Sequence, residues 1–155
     1  MNIADFLRQE KVKFDVISHR DTFNAQTMAQ TLHVSGHHVA KTVLLRVDDG
    51  EAFVVAVLPA SRSIDLHLAS QLLGGRQVEL ATEQEITAKC QDCEQGALPP
   101  FGSYYGMTTI VDASISEDDE IVFEGNTHHE TIRMLFRDFR SIEKPIVGHF
   151  TQLQL

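Results

Sequence analysis

The sequence predicts a mixed α/β domain of six or more strands with interspersed helices. Residues 39–47 alternate as a strand should, and Asp48-Asp49-Gly50 then supplies the turn for a hairpin into the apolar run 52–58. Helical signals follow, with Leu66, Ala69 and Leu73 at helical spacing and Thr82-Glu83-Gln84-Glu85 reading as a capping box. Beyond a Gly/Pro-rich loop, three more strand-like segments and a short helix complete the pattern.

In chain order, Ile3, Phe6 and Leu7 share one helical face, and Val12, Phe14 and Val16 alternate as a short strand. Ala25, Met28, Ala29 and Leu32 indicate a second helix with Asn24 as its N-cap. The run 52–58 is apolar on both parities, so its strand is expected to be covered on both faces. The helix through Leu66, Ala69 and Leu73 stops at Gly74-Gly75, and a short strand is expected at 78–80. The capping box opens the next helix, since the Thr82 hydroxyl and the Glu85 carboxylate satisfy reciprocal backbone donors. Segments 108–112, 121–124 and 131–135 read as strands, 136–142 as a helix and 146–150 as a last strand. Ser61 and Ser63 read as loop or cap residues.

With 155 residues and 43% hydrophobic content, residues 1–155 are expected to form a single domain. No apolar run reaches membrane-spanning length, and Met1-Asn2-Ile3-Ala4-Asp5 is too acidic for a secretory signal, which gives the expectation of a cytoplasmic protein without a membrane partner. Thirteen Lys and Arg against 22 Asp and Glu give a formal charge of -9. That balance argues against a broad nucleic-acid-coating surface, so any polyanionic partner must be gripped at a small site.

Lys41 falls on the same parity as Val39, Val43, Leu45 and Val47. A lysine on an apolar face costs desolvation unless its ammonium finds an anionic or carbonyl partner; the alternative is a stem that snorkels out at the strand end. In Gly96-Ala97-Leu98-Pro99-Pro100-Phe101-Gly102, two prolines fix φ and remove donors while the glycines permit close backbone approach, by a ligand or merely within a rigid connection. Tyr104 and Tyr105 follow it, placed either to stack on a base or to pack.

Cys90 and Cys93 have the C-x-x-C spacing of a redox pair or half of a zinc site, but they follow a predicted helix rather than a strand-to-helix turn, and no second such pair completes a zinc site. They are expected to be two reduced thiols at a helix end. His128-His129 open a predicted strand, so their rings point to opposite faces and only one can face a site. His37-His38 read as a solvated loop. No metal is expected, and the lack of a G-x-S-x-G elbow, Walker loop, G-x-G-x-x-G or H-E-x-x-H argues against a side-chain nucleophile.

Taken together, Val39-Ala40-Lys41-Thr42-Val43, Val57-Leu58-Pro59 leading into Ile64-Asp65-Leu66, the G-x-x-x-P motif at Gly96 and Pro100, and Gly148-His149-Phe150 resemble the YbaK and prolyl-tRNA synthetase-associated editing domain family. The likeness runs in order over essentially the whole chain. It implies a mainly β-sheet α/β fold, an antiparallel or mixed sheet or a partly closed barrel with surrounding helices. It also implies hydrolytic deacylation of mischarged aminoacyl-tRNA, with tRNA(Pro) carrying Ala or Cys as the expected substrate and no cofactor. The implied partners are the acceptor end of the charged tRNA and prolyl-tRNA synthetase.

By the same resemblance Lys41 binds the terminal phosphate or ester region, while backbone groups of Gly96 to Pro100 position the amino-acid moiety and the attacking group. Thr22, Phe23, Asn24, Thr42, Leu98, Pro99, Phe101, Gly102 and one of His128 or His129 are the implied substrate-binding positions. An aminoacyl ester is already activated, so orienting water or a ribose hydroxyl supplies much of the acceleration. The alternative is a non-catalytic module that keeps the fold to bind a small ligand or to regulate.

Overall fold

A computed structural model of the chain describes residues 2–18, 39–93, 98–115, 120–126 and 130–153. The expected second helix and the His37-His38 loop lie outside the described residues.

Helix α1 (Ile3–Gln9) starts where the Asn2 side chain accepts the Asp5 N–H, and it turns Ile3, Ala4 and Leu7 inward. Strand β1 (Phe14–Ser18) follows. Strands β2 (Ala40–Val47) and β3 (Ala52–Pro59) form the expected hairpin, joined by a 3-10 turn at Asp48–Gly50. A short strand β4 (Arg62–Ile64) leads into α2 (Leu66–Leu72), which is capped by the Asp65 carboxylate accepting the Leu68 N–H. Strand β5 (Val78–Leu80) and helix α3 (Glu83–Lys89) come next, and both halves of the Thr82–Glu85 capping box are present. A 3-10 turn at Gly102–Tyr105 enters β6 (Thr108–Asp112), and β7 (Glu120–Glu124), β8 (Glu130–Leu135), α4 (Phe136–Glu143), β9 (Ile146–Gly148) and β10 (Thr151–Leu153) complete the chain.

The strands assemble as a five-stranded sheet in the order β5-β2-β3-β6-β9, a three-stranded sheet β1-β8-β7, and the pair β10-β4. Pairing is antiparallel among β5, β2 and β3 and parallel among β3, β6 and β9, so the large sheet is mixed. A parallel bridge between Val39 and Val122 links the two larger sheets. Among the described residues the strands do not close into a barrel.

The central strand β3 is covered on both sides, as its apolar sequence requires. Val55 and Val57 face one core with Ile3, Leu7, Phe101, Phe123, Phe136 and Phe139; Val54, Ala56 and Leu58 face a second with Leu45, Ala69, Ile110 and Phe150. Each fully buried Val or Leu contributes about 1.5–3 kcal/mol, so these layers dominate the stability.

Two expectations need correction. The last strand is not continuous over 146–150: Phe150 donates its N–H to the Asp112 carboxylate and accepts the Asp65 N–H, which turns its backbone away and sends its ring into the second core. Ser63 is not in a loop but on β4, opposite Gln152 of β10. Gly148 lets β9 approach α2 closely, since a Cβ there would lie 2.6 Å from Leu72 Cδ1 and would have to displace that side chain.

Candidate functional site

Strand alternation sets the faces of Lys41 and Thr42. Lys41 pairs with Leu58, which belongs to the second core, whereas Thr42 pairs with Val57, which belongs to the first. On β6, Asp112 alternates with Val111 and so shares the face of Ile110 in the second core, the face that Leu58 and Lys41 occupy on β3 and β2. Lys41 is half-buried, and that burial lowers its pKa from the ordinary lysine value. No hydrogen bond or ion pair joins it to another described residue.

Asp112, a buried anion on the same face, does not serve as the counter-ion of Lys41. Burial works to raise its carboxyl, but donors from the Ser114 hydroxyl, the Phe150 N–H, the Ser114 N–H and the Thr151 hydroxyl outweigh it and hold the pKa below the ordinary aspartate value. The protein's own dipoles thus satisfy this buried anion without a cation.

The described part of the Gly/Pro loop is buried throughout, from Leu98, Pro99 and Pro100 to Phe101 and Gly102. The Phe101 ring is fully enclosed by Phe6, Phe123 and Phe139 at 5.6, 5.7 and 5.1 Å between centroids, all edge-on. Gly102 donates its N–H to Thr109 Oγ1 at 2.8 Å, and its carbonyl accepts the Met107 N–H at 2.8 Å. Phe101 and Gly102 anchor the loop: the ring packs in the core and the amide bonds Thr109. Among the described residues no group donates to the carbonyls of Leu98, Pro99 or Pro100.

Glu143 secures the loop from beneath. Its carboxylate is buried and accepts the Ser103 N–H at 3.0 Å, the Ser103 hydroxyl at 2.6 Å and the Thr109 hydroxyl at 2.6 Å. It was not singled out from the sequence, yet Phe136, Phe139 and Glu143 share the buried stripe of α4 at helical spacing. A charge on an apolar stripe is the same signal that marks Lys41.

On the near side of the loop, Cys90 and Cys93 are brought together in a disulfide arrangement, in place of the two reduced thiols expected from the sequence. Around it stand Asp92, Tyr104 and Tyr105. Burial, reinforced by the Asp92 charge, pushes the Tyr105 phenol well above its ordinary range. Cys90, Asp92 and Cys93 bring ligand atoms within 4.8 Å of one another, one short of the four a structural zinc site uses. Gly96, Thr22, Phe23, Asn24, His128 and His129 lie outside the described residues.

Comparison with known proteins bears on this arrangement. The chain matches the model of the aminoacyl-tRNA editing domain over residues 19–142. No curated protein matches it. Among solved structures, the hypothetical protein APE2540 superposes with a TM-score of 0.86 at 16% identity, covering 97% of this chain and 99% of that one. A candidate trans-editing enzyme for prolyl tRNA synthetase superposes at 0.78 with 18% identity, covering 90% and 87%. A candidate signal transduction protein from Marinobacter aquaeolei VT8 superposes at 0.69 with 20% identity, covering 89% of this chain but 27% of that one. The structural likenesses share the mixed sheet and its flanking helices, and with the family model spanning most of its length the chain belongs to the aminoacyl-tRNA editing domain family.

Proposed function

We propose that residues 1–155 act as one editing domain that hydrolyses the ester of mischarged aminoacyl-tRNA, with tRNA(Pro) carrying Ala or Cys as the substrate. The observation that carries the reading is Lys41: a desolvated ammonium on an apolar strand face, without an anionic partner among the described residues, while the nearby buried anion is satisfied by other groups. A cation kept in that state suits an anionic ligand, here the terminal phosphate of the acceptor end. The carbonyls of Leu98, Pro99 and Pro100 and the backbone of Gly96 would orient the amino-acid moiety and the attacking water or ribose hydroxyl. Thr22, Phe23, Asn24 and one of His128 or His129 would close the pocket and set the size of amino acid admitted.

Contact limited to the acceptor end reconciles a charge of -9 with a tRNA substrate, since few phosphates need be neutralised. Prolyl-tRNA synthetase is the partner that would supply the mischarged product. No helix among the described residues is long and apolar enough to cross a membrane, and the proposed site of action is the cytoplasm.

The test is hydrolysis of tRNA(Pro) charged with Ala or Cys by the purified chain and by Lys41→Met. Loss of one charge-assisted contact, worth about 1.5–3 kcal/mol, corresponds to a rate reduced about ten- to hundredfold. No hydrolysis by the unaltered chain, or an unchanged rate in the variant, refutes the proposal. A second reading is a sensing module, favoured by the match to a signal transduction protein of which the matched part is 27%. Calorimetric binding of an aminoacyl-adenosine amide with no turnover of charged tRNA selects that reading.

A further inference from the structure

We infer that Cys90 and Cys93 form a reversible thiol–disulfide site that exchanges with low-molecular-weight disulfides. Cys90 caps the C-terminal end of α3, and the chain turns back at once, with the Cys93 N–H donating to the Cys90 carbonyl. The two Cα atoms are 5.7 Å apart, inside the range a disulfide spans without backbone movement. Cys90 is buried and Cys93 half-buried, so an external sulfur meets Cys93 first.

The surrounding polar groups give the two redox states different hydrogen-bonding. Cys90 Sγ lies 3.1 Å from the Tyr105 hydroxyl and 3.5 Å from Asp92 Oδ1, and Cys93 Sγ lies 3.9 Å from the same hydroxyl. Tyr105 donates its O–H to Asp92 Oδ1 at 3.0 Å, and Asn126 Nδ2 approaches the phenolic oxygen at 3.5 Å. In the reduced state the Cys90 thiol supplies a donor to that oxygen and completes a relay from sulfur through Tyr105 to Asp92. In the disulfide that donor is gone.

The pair follows the C-terminal end of α3 with Asp92 beside it, which separates it from the helix N-terminal C-x-x-C of oxidoreductases. It is a modification site and not a catalytic dithiol. In the oxidation, the Cys93 thiolate attacks one sulfur of the small disulfide and a small thiol departs. Cys90 then attacks Cys93 Sγ and the second small thiol leaves. Two electrons pass to the small disulfide, and the two protons lost by the cysteines end on the released thiols.

Tyr104 and Tyr105 are the only tyrosines and the chain has no tryptophan, so tyrosine emission reports this cluster alone. The experiment titrates the reduced full chain with oxidised glutathione, following intact mass, alkylatable thiols and tyrosine emission. The expected result is loss of two hydrogens without a lasting adduct, both thiols disappearing in one transition, and emission falling with them as the disulfide quenches the neighbouring phenol. Cys90→Ser is expected to stop at a single glutathione adduct on Cys93. Independent alkylation of the two thiols, a persistent double adduct, covalent dimers, or a reduced protein that holds Zn2+ and resists oxidation overturns the inference. None of these readouts depends on the deacylase reading.

Discussion

Replacing Gly102 with alanine tests whether the Gly/Pro loop is a pinned structural element or an adaptable one. A Cβ at this position would lie 2.5 Å from Thr109 Oγ1, 2.8 Å from the Met107 carbonyl oxygen and 3.1 Å from that of Thr108. The first contact could yield by rotation of a side chain, but the other two are backbone, and the Met107 carbonyl belongs to the turn that Gly102 itself closes. Overpacking of this kind costs about 1–3 kcal/mol. Any shift that relieves it also stretches the Gly102 to Thr109 hydrogen bond and loosens the Ser103 and Thr109 bonds to Glu143, where a bond to a charged group is worth about 1.5–3 kcal/mol. The total is about 3–5 kcal/mol. At about 2–4 °C per kcal/mol for a domain of this size, Tm should fall by about 10 °C. Urea and thermal unfolding of Gly102→Ala measure it, with Gly106→Ala as control: Gly106 has φ +73° and open space at its Cβ, so only left-handed strain of about 1–2 kcal/mol applies. If Gly102→Ala loses less than about 1 kcal/mol, or no more than the control, the loop is not pinned and the assignment of Phe101 and Gly102 as anchors is wrong.

Three other outcomes follow from buried charges. Asp112 has a native pKa below its unfolded value, so its contribution is fully present above about pH 4 and is lost as pH falls through the native value; Asp112→Asn should be less stable at neutral pH and show a flatter acid limb in Tm against pH. Lys41 has a lowered native pKa, so the unfolded chain binds more protons and stability rises with pH toward the ordinary value of 10.5; Lys41→Met should be at least as stable at pH 7, with its advantage shrinking at alkaline pH. Glu143→Ala strands three donors and should cost about 3–5 kcal/mol in urea unfolding, whereas Glu143→Gln, which keeps one acceptor, should lose less than half of that.

Local chemistry was readable from the chain because it is carried by near neighbours: the Thr82–Glu85 capping box, the Asp48–Gly50 turn and the doubly apolar β3 all occur where the pattern places them. Strands β4 and β10 were missed for the opposite reason. Each has three residues, too few to show alternation, and they find one another across roughly 90 positions of sequence. Pairing of β6 with β3 and β9 in parallel is likewise a property of the assembled sheet. For the site, Lys41 was visible as a charge on an apolar parity. The packing of Phe101 was not legible, because an aromatic beside two prolines looks the same in sequence whether its ring lines a pocket or fills a core. Its fate is decided by Phe6, Phe123 and Phe139, which arrive from distant elements.

Lys41 alternates toward the second core while Phe101 and Leu98 pack in the first, and this separates their structural roles from any shared chemical one. Glu143 is a buried charge that the fold uses: three donors grip it, and through Ser103 and Thr109 it fixes the turn after Phe101. Lys41 is one that the fold does not use, since its burial is uncompensated among the described residues. In stability the two should therefore be independent, and Lys41→Met combined with Glu143→Gln should add to within about 0.5 kcal/mol in urea unfolding. In activity the expectation reverses. If one substrate is gripped by the ammonium and by the loop carbonyls, loosening the loop already misplaces the ester, and removing the charge then has less left to lose. The double variant should retain more deacylation than the product of the two single losses predicts. Losses that multiply, beside stabilities that add, would mean that Lys41 and the loop do not serve one ligand.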